Sequence, residues 1–241
     1  MTNKTPAVGF CDSLRKGLSD GVPIALGYLS VSFTFGMMAV QGGLPTLAAV
    51  LISLTNLTSA GQFAGLDLIF AGGTLLEMAL TQLVINMRYA LMSVSLSQKM
   101  HASVTLPHRF WIAFGNTDEI FAVASAKDGE VGKKYMFGLI LLPVLGWTGG
   151  TLIGAAAGTL LPLSVRSALG IAIYGMFLAV FIPPMKKSAP IAIVVAVSAA
   201  LSCTFAYLPA LSGVSSGFVI IICAVTAACV GAVIRPVDDA A

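Results

Sequence analysis

Charge is what this sequence most lacks. Of its 241 residues, 13 are Lys or Arg and 10 are Asp or Glu, 10% in all, where an average soluble domain carries about 25%. With 57% hydrophobic residues and a mean hydropathy of +0.95, the chain has too few polar side chains to solvate a surface. A soluble enzyme or a nucleic-acid-binding domain is excluded on that ground, and the net charge of +3 informs topology instead. Histidine is nearly absent. His101 and His108 both fall in a polar connection, leaving no imidazole within the apolar runs to act as a base or metal ligand. Cys11, Cys203, Cys223 and Cys229 match no metal spacing, and three lie in apolar runs as small core residues. There is no P-loop, so the chain does not hydrolyse ATP for itself. The expectations are no enzyme activity, no cofactor, no metal and no nucleic-acid partner.

What the chain has is apolar runs long enough to cross about 30 Å of hydrocarbon, which takes roughly 20 helical residues. Backbone groups in lipid must be satisfied within the segment, so these runs are helices. Spans are predicted at residues 22–40, 45–71, 74–97, 108–126, 135–161, 168–184, 190–207 and 214–234. The second has a candidate break near Ser59-Ala60-Gly61-Gln62, and the fourth is the most polar. The predicted fold is all-α: one polytopic membrane bundle of about 7–8 helices over residues 1–241, some of them broken. Residues 1–21 form a cytoplasmic segment that lacks a signal-peptide pattern, and residues 235–241 a short tail. No internal repeat is evident. With the N-terminus cytoplasmic, Lys4, Arg15, Lys16, Lys127, Lys133, Lys134, Lys186, Lys187 and Arg235 fall inside. Lys99, Arg109 and Arg166 fall outside, a bias of the expected sign.

The polar residues inside these spans carry the functional argument. Thr74-Leu75-Leu76-Glu77 is a capping-box pattern that starts a helix. Eleven residues later, about 16 Å along that helix at 1.5 Å per residue, Arg88 falls near the membrane midplane. Glu77, Thr81, Arg88 and Ser95 share one helical stripe, and Gln82, Asn86, Ser93 and Ser97 a nearly opposite one. That pattern predicts a helix enclosed by protein or a hydrated cavity. An arginine at such depth is either half of a structural ion pair or part of a pathway, the second being the default for charges within spans. Its partner is expected in Phe114-Gly115-Asn116-Thr117-Asp118-Glu119. There Asn116 or Thr117 caps a new helix whose start either complements the acids or faces a cavity. Asp118 and Glu119 are about 100° apart on a helix, so only one can point at Arg88.

Gly27, Tyr28, Ser30, Ser32 and Gly36 give the first span a small, polar face suited to packing or to a pocket, with Pro23 at its expected start. Asn56 and Gln62 are the hydrogen-bonding groups of the second. Gly146, Gly150, Gly154 and Gly158 recur every four residues, making a groove for another backbone. Internal packing is the expected use and a second subunit the alternative.

The stretches Pro23–Tyr28, Ser59–Phe63, Leu75–Glu77, Ile85–Tyr89 and Thr117–Ala122, in this order and spacing, resemble the AzlC family, the large subunits of bacterial branched-chain amino-acid exporters. The resemblance implies proton-driven, multi-pass export of leucine, isoleucine, valine or methionine and analogues across the bacterial cytoplasmic membrane. It also implies a small AzlD-like membrane subunit as partner. Carried over by motif, Gln62, Asn86, Arg88, Thr117, Asp118 and Glu119 are the candidate substrate residues. Tyr28 joins them from the polar face of the first span. Tyr89 stands where the family often has histidine, and Ser30 and Ser32 where it often has proline and glycine, which argues against a broken first helix.

In the mechanism these residues suit, Arg88 matches a substrate carboxylate, Asp118 or Glu119 the ammonium, and Phe33, Met87 and Phe121 the branched side chain. One of the two acids is the proton-coupling group. Alternatives are a channel or exporter for another small solute, or an accessory subunit inactive without another protein.

Overall fold

The computed structural model describes residues 10–158, 188–211 and 213–234, with a few residues between 160 and 186. The predicted span 168–184 lies outside the described residues except for Leu178, Ile182 and Pro183. The described chain is helical, with one pair of two-residue strands. Helices α1 (Leu14–Gln41), α7 (Lys133–Ala157), α8 (Ala189–Tyr207) and α9 (Ser216–Ile234) are each long and apolar enough to cross a membrane. The other helices are α2 (Thr46–Thr55), α3 (Ser59–Phe70), α4 (Leu75–Ser97), α5 (Leu106–Phe114) and α6 (Asp118–Ser125). The chain is an all-α membrane protein, as its composition predicts. The described parts fall into two compact units, one from Met1–Gln62 and Met87–Leu161, the other from Phe63–Asn86 and Pro162–Ala241.

The first unit is built on α1 and α7, which run parallel in close contact. A Cβ placed on Gly146 would meet the Ala25 carbonyl at 2.5 Å, and one on Gly150 the Leu29 carbonyl at 2.5 Å. Gly154 sits against the Phe33 backbone and Gly158 against Met37. The four-residue glycine step is therefore an internal groove, each step meeting a residue four further along α1. Gly17, Gly21 and Gly36 of α1 lie equally close to the backbone or ring atoms of α7. These reciprocal contacts extend α1 to Leu14, with Ser13 capping it by accepting from the Lys16 amide at 3.3 Å. The helix thus begins eight residues before the predicted span, Pro23 lies inside it, and residues 14–21 are helix rather than a free segment. It runs unbroken past Ser30 and Ser32.

Strands β1 (Phe10–Cys11) and β2 (Glu130–Val131), which precede these two helices, pair in parallel. Asp12 accepts from the Lys134 amide at 2.7 Å, so the first strand's loop supplies the cap at the start of α7. Met100 bridges to Val131, the His101 amide donates to the Val131 carbonyl and the Val131 amide to the Lys99 carbonyl, each at 3.0 Å. Lys99 Nζ also donates to the Ser125 carbonyl at the end of α6.

Residues 10–13, 98–105 and 126–132 therefore lie at one end of this unit. Helix α5 enters from that end, the chain turns at Gly115–Thr117, and α6 returns to it. The predicted span 108–126 does not cross; it is a re-entrant helical hairpin. Its tip reaches α7, because a Cβ on Gly115 would strike the Ile140 side chain. Lys99 and Arg109, placed opposite the N-terminus by the eight-span reading, lie at the same end as Arg15, Lys16, Lys127, Lys133 and Lys134. Single cysteines at Lys99 and at Lys127 are expected to react with an impermeant thiol reagent from the same side of the membrane. Labelling from opposite sides would refute the hairpin.

The predicted span 45–71 is also broken, at Asn56–Thr58, three residues before the predicted position. Asn56 Oδ1 accepts from the Thr58 amide at 3.2 Å and Thr58 Oγ1 from the Gly61 amide at 3.2 Å. These short local bonds compete with helix and favour a restart.

In the second unit, the capping box forms as predicted. The Thr74 amide donates to Glu77 Oε2 at 2.7 Å and the Glu77 amide to Thr74 Oγ1 at 3.2 Å, while Ser215 Oγ donates to the other carboxylate oxygen. Leu76, Leu83, Met87, Leu91 and Val94 are all exposed among the described residues and form a third, apolar stripe between the two polar ones.

Candidate functional site

The tip of the hairpin gathers most of the polar residues singled out from the sequence. Arg88, nine residues before the end of α4 at Ser97 and so about 14 Å from it, pairs with Asp118 at 3.0 Å. It also donates to the Tyr89 hydroxyl at 3.2 Å, and its guanidinium lies 5.0 Å from the centre of that ring. The ion pair is not sealed. The side chains of Arg88 and Asp118 are 45% and 44% exposed, which leaves room for a third charged group beside them.

Glu119 points elsewhere, as the 100° offset requires. Tyr28, from the middle of α1, places its hydroxyl 2.5 Å from Glu119 Oε2 and 2.6 Å from Thr117 Oγ1. A phenol has one proton, so with Glu119 ionised it donates to the carboxylate and takes its second bond from the threonine. Thr117 stands at the N-cap of α6 but makes no side-chain cap bond; its hydroxyl is committed to Tyr28 instead. Asn116, beside it, donates from Nδ2 to Ser93 Oγ at 3.1 Å, while its Oδ1 is buried without a partner.

The second break is tied to the same region through a closed hydrogen-bonded ring. Trp147 Nε1 donates to Gln62 Oε1 at 2.8 Å, and Gln62 Nε2 to Ser53 Oγ at 3.2 Å. The Ser53 and Thr151 hydroxyls are 2.7 Å apart, and Thr151 Oγ1 lies 3.1 Å from the Trp147 carbonyl. A carbonyl only accepts, so Thr151 donates to it and Ser53 donates to Thr151. The direction of every bond in the ring is thereby assigned. All four residues are buried, and a satisfied polar network in such surroundings holds one geometry. The Trp147 and Tyr28 rings meet edge to face at 5.2 Å. The aromatic pair thus connects the α2–α3 break to the tip of the α5–α6 hairpin.

Of the candidate residues, the structure brings Tyr28, Gln62, Arg88, Thr117, Asp118 and Glu119 into this unit. Asn86 belongs to the other, where it donates to Gln82 at 3.0 Å one turn before it on the same helix. Met87 is 54% exposed and does not enclose an apolar pocket. Phe121 packs against the core cluster. Trp147, Ser53 and Thr151 were not singled out. The signal for Trp147 was an indole in mid-span, whose N–H needs a partner when buried.

A separate charged cluster braces the end that holds the strands. Asp20 meets Lys16 at 2.9 Å, Lys127 at 2.7 Å and the Tyr135 hydroxyl at 3.0 Å, fixing the connection after α6 to α1 and α7. Among the described residues no group of His, Cys, Asp and Glu could hold a metal ion.

Comparison with known proteins places this geometry. The family described as AzlC protein matches residues 23–161, the stretch that carries the hairpin and its partners on α1 and α7. An uncharacterized membrane protein of Archaeoglobus fulgidus is 37% identical over 71% of this chain and 76% of its own length. The inner membrane protein YgaZ of Escherichia coli is 29% identical over 82% of this chain and 83% of its own. An uncharacterized membrane protein of Helicobacter pylori is 29% identical over 62% of this chain and 66% of its own. No solved structure matches.

Proposed function

The chain belongs to the AzlC family, and on that premise we propose that it exports branched-chain amino acids across the cytoplasmic membrane by proton-coupled alternating access. The observation that carries the proposal is the half-open Arg88–Asp118 pair at the tip of a re-entrant hairpin. A zwitterion can insert between these two groups, its carboxylate on the guanidinium and its ammonium on Asp118. Both of its charges are then matched without any other ion entering the membrane. Glu119, held by the Tyr28 hydroxyl, is the proton carrier. It sits on the residue next to Asp118, so its charge is felt by the ammonium site without occupying it.

The end bearing Arg15, Lys16, Lys99, Arg109, Lys127, Lys133 and Lys134 is cytoplasmic by the positive-inside rule, which puts the N-terminus there too. A small AzlD-like subunit completes the transporter, as the family resemblance implies. The test is uptake of labelled leucine into everted membrane vesicles containing the chain, alone and with that subunit. Saturable uptake that collapses with the proton gradient is expected. Non-saturable flux that ignores the gradient would mean a channel, and the proposal would fail.

A further inference from the structure

A cavity of about 210 Å³ lies between the last turns of α4 and helix α5, lined by Ser93, Leu96, Arg109, Ile112, Ala113 and Asn116 among others. It runs from Met100, Leu106 and Arg109 at the strand-bearing end to Asn116 at the hairpin tip, two residues from Asp118. An apolar cavity of about 150 Å³ admits benzene, so this one has room for a branched aliphatic chain with its charged head.

Two polar features make it more than a packing gap. Asn116 is 2% exposed, and its amide makes one bond, to Ser93 Oγ. Whichever way the amide is turned, its other polar atom is buried without a partner, and such an atom is destabilising unless something binds it. Arg109, at the opposite end, bonds through Nε to the Val104 carbonyl at 3.2 Å. No carboxylate among the described residues pairs with its guanidinium.

We propose that this cavity is a cytoplasmic antechamber for the exported substrate, a binding site for small amphipathic carboxylates distinct from the Arg88–Asp118 pair. Resting on the export reading above, it assigns the route by which substrate reaches that pair. Arg109 draws in the carboxylate at the mouth, and Leu96, Ile112 and Ala113 take the branched chain. Asn116 receives the ammonium at the inner end, beside Asp118.

The test uses full-length protein in proteoliposomes, with Cys11, Cys203, Cys223 and Cys229 replaced and a single reporter, Ala113→Cys or Ser97→Cys. The rate of reaction with a charged methanethiosulfonate reagent is measured with and without L-leucine, 4-methylpentanoate and 3-methylbutylamine. Leucine and 4-methylpentanoate are expected to slow labelling at least about fivefold, and the amine, which lacks the carboxylate, to leave it unchanged. Arg109→Gln should abolish this protection, while Arg88→Lys should leave it intact although export is lost. Failure of both cysteines to react, equal protection by the amine, or protection that survives Arg109→Gln would overturn the antechamber. Protection in the protein with Arg88 intact, if that protein exports no leucine, would overturn the export reading and leave the antechamber standing.

Discussion

Arg88→Lys is expected to reduce leucine export roughly 30-fold or more with the protein still correctly inserted. Lysine keeps the charge, so ordinary electrostatics predicts a mild effect; the geometry predicts a severe one. Asp118 lies 3.0 Å from a terminal guanidinium nitrogen, and that same nitrogen donates to the Tyr89 hydroxyl. A guanidinium presents five donors in a fixed plane and can hold Asp118, Tyr89 and an incoming carboxylate together. An ammonium is a point charge on a flexible stem and cannot hold that arrangement. Losing one hydrogen bond to a charged partner weakens binding by about 1.5–3 kcal/mol, and about 2 kcal/mol corresponds to roughly 30-fold.

Asp118→Asn should be as damaging, since an amide cannot neutralise the ammonium. The double variant should be little worse than either single one, because the two side chains act as a unit and their effects do not add. Export assays on the three variants, normalised to the amount of inserted protein, test this. Near-normal export by Arg88→Lys would remove Arg88 from the site and leave the pair as a structural tie.

The sequence revealed much of this site for a definite physical reason. Charges inside apolar spans are rare enough to stand out singly, so Arg88, Asp118 and Glu119 were visible without any fold. Helical phase then required that the two acids diverge, as they do toward Arg88 and Tyr28. The capping box at Thr74–Glu77 and the glycine step from Gly146 were legible because both are local patterns with a single geometric use.

Topology was harder. Residues 108–126 have the length of a span, and length cannot distinguish a helix that crosses from two short ones that enter and return. What decides between them is backbone pairing of Lys99 and His101 with Val131, a contact between segments some 30 residues apart that leaves no periodic trace. The ring through Trp147, Gln62, Ser53 and Thr151 was invisible for the same reason. Serine and threonine in a span commonly bond to their own helix or across to a neighbour, and nothing in their spacing says which. Asn86, two residues before Arg88 on the same helix and so about 200° round it, bonds Gln82 one turn away, a choice of partner that its motif does not reveal.

Glu119→Gln is expected to separate transport from its driving force. Glutamine keeps the shape and can still bond Tyr28, but it cannot carry a proton. If Glu119 is the coupling group, the variant should exchange internal for external leucine at a rate near that of the parent while losing the dependence of net export on the proton gradient. Tyr28→Phe provides the control from the other side of the contact. It removes the hydroxyl that lies 2.5 Å from Glu119 and 2.6 Å from Thr117, leaving the ring against Trp147 and the carboxyl in place. That variant should remain gradient-driven but with a shifted pH profile, and it should be less stable by about 1–3 kcal/mol, the penalty for stranding buried partners.

The measurement is leucine counterflow beside gradient-driven export, each across roughly pH 5.5 to 8. Equal loss of both activities in Glu119→Gln would make the residue part of substrate binding and pass the coupling role to Asp118. Export by Glu119→Gln that still follows the gradient would place proton movement outside this cluster altogether.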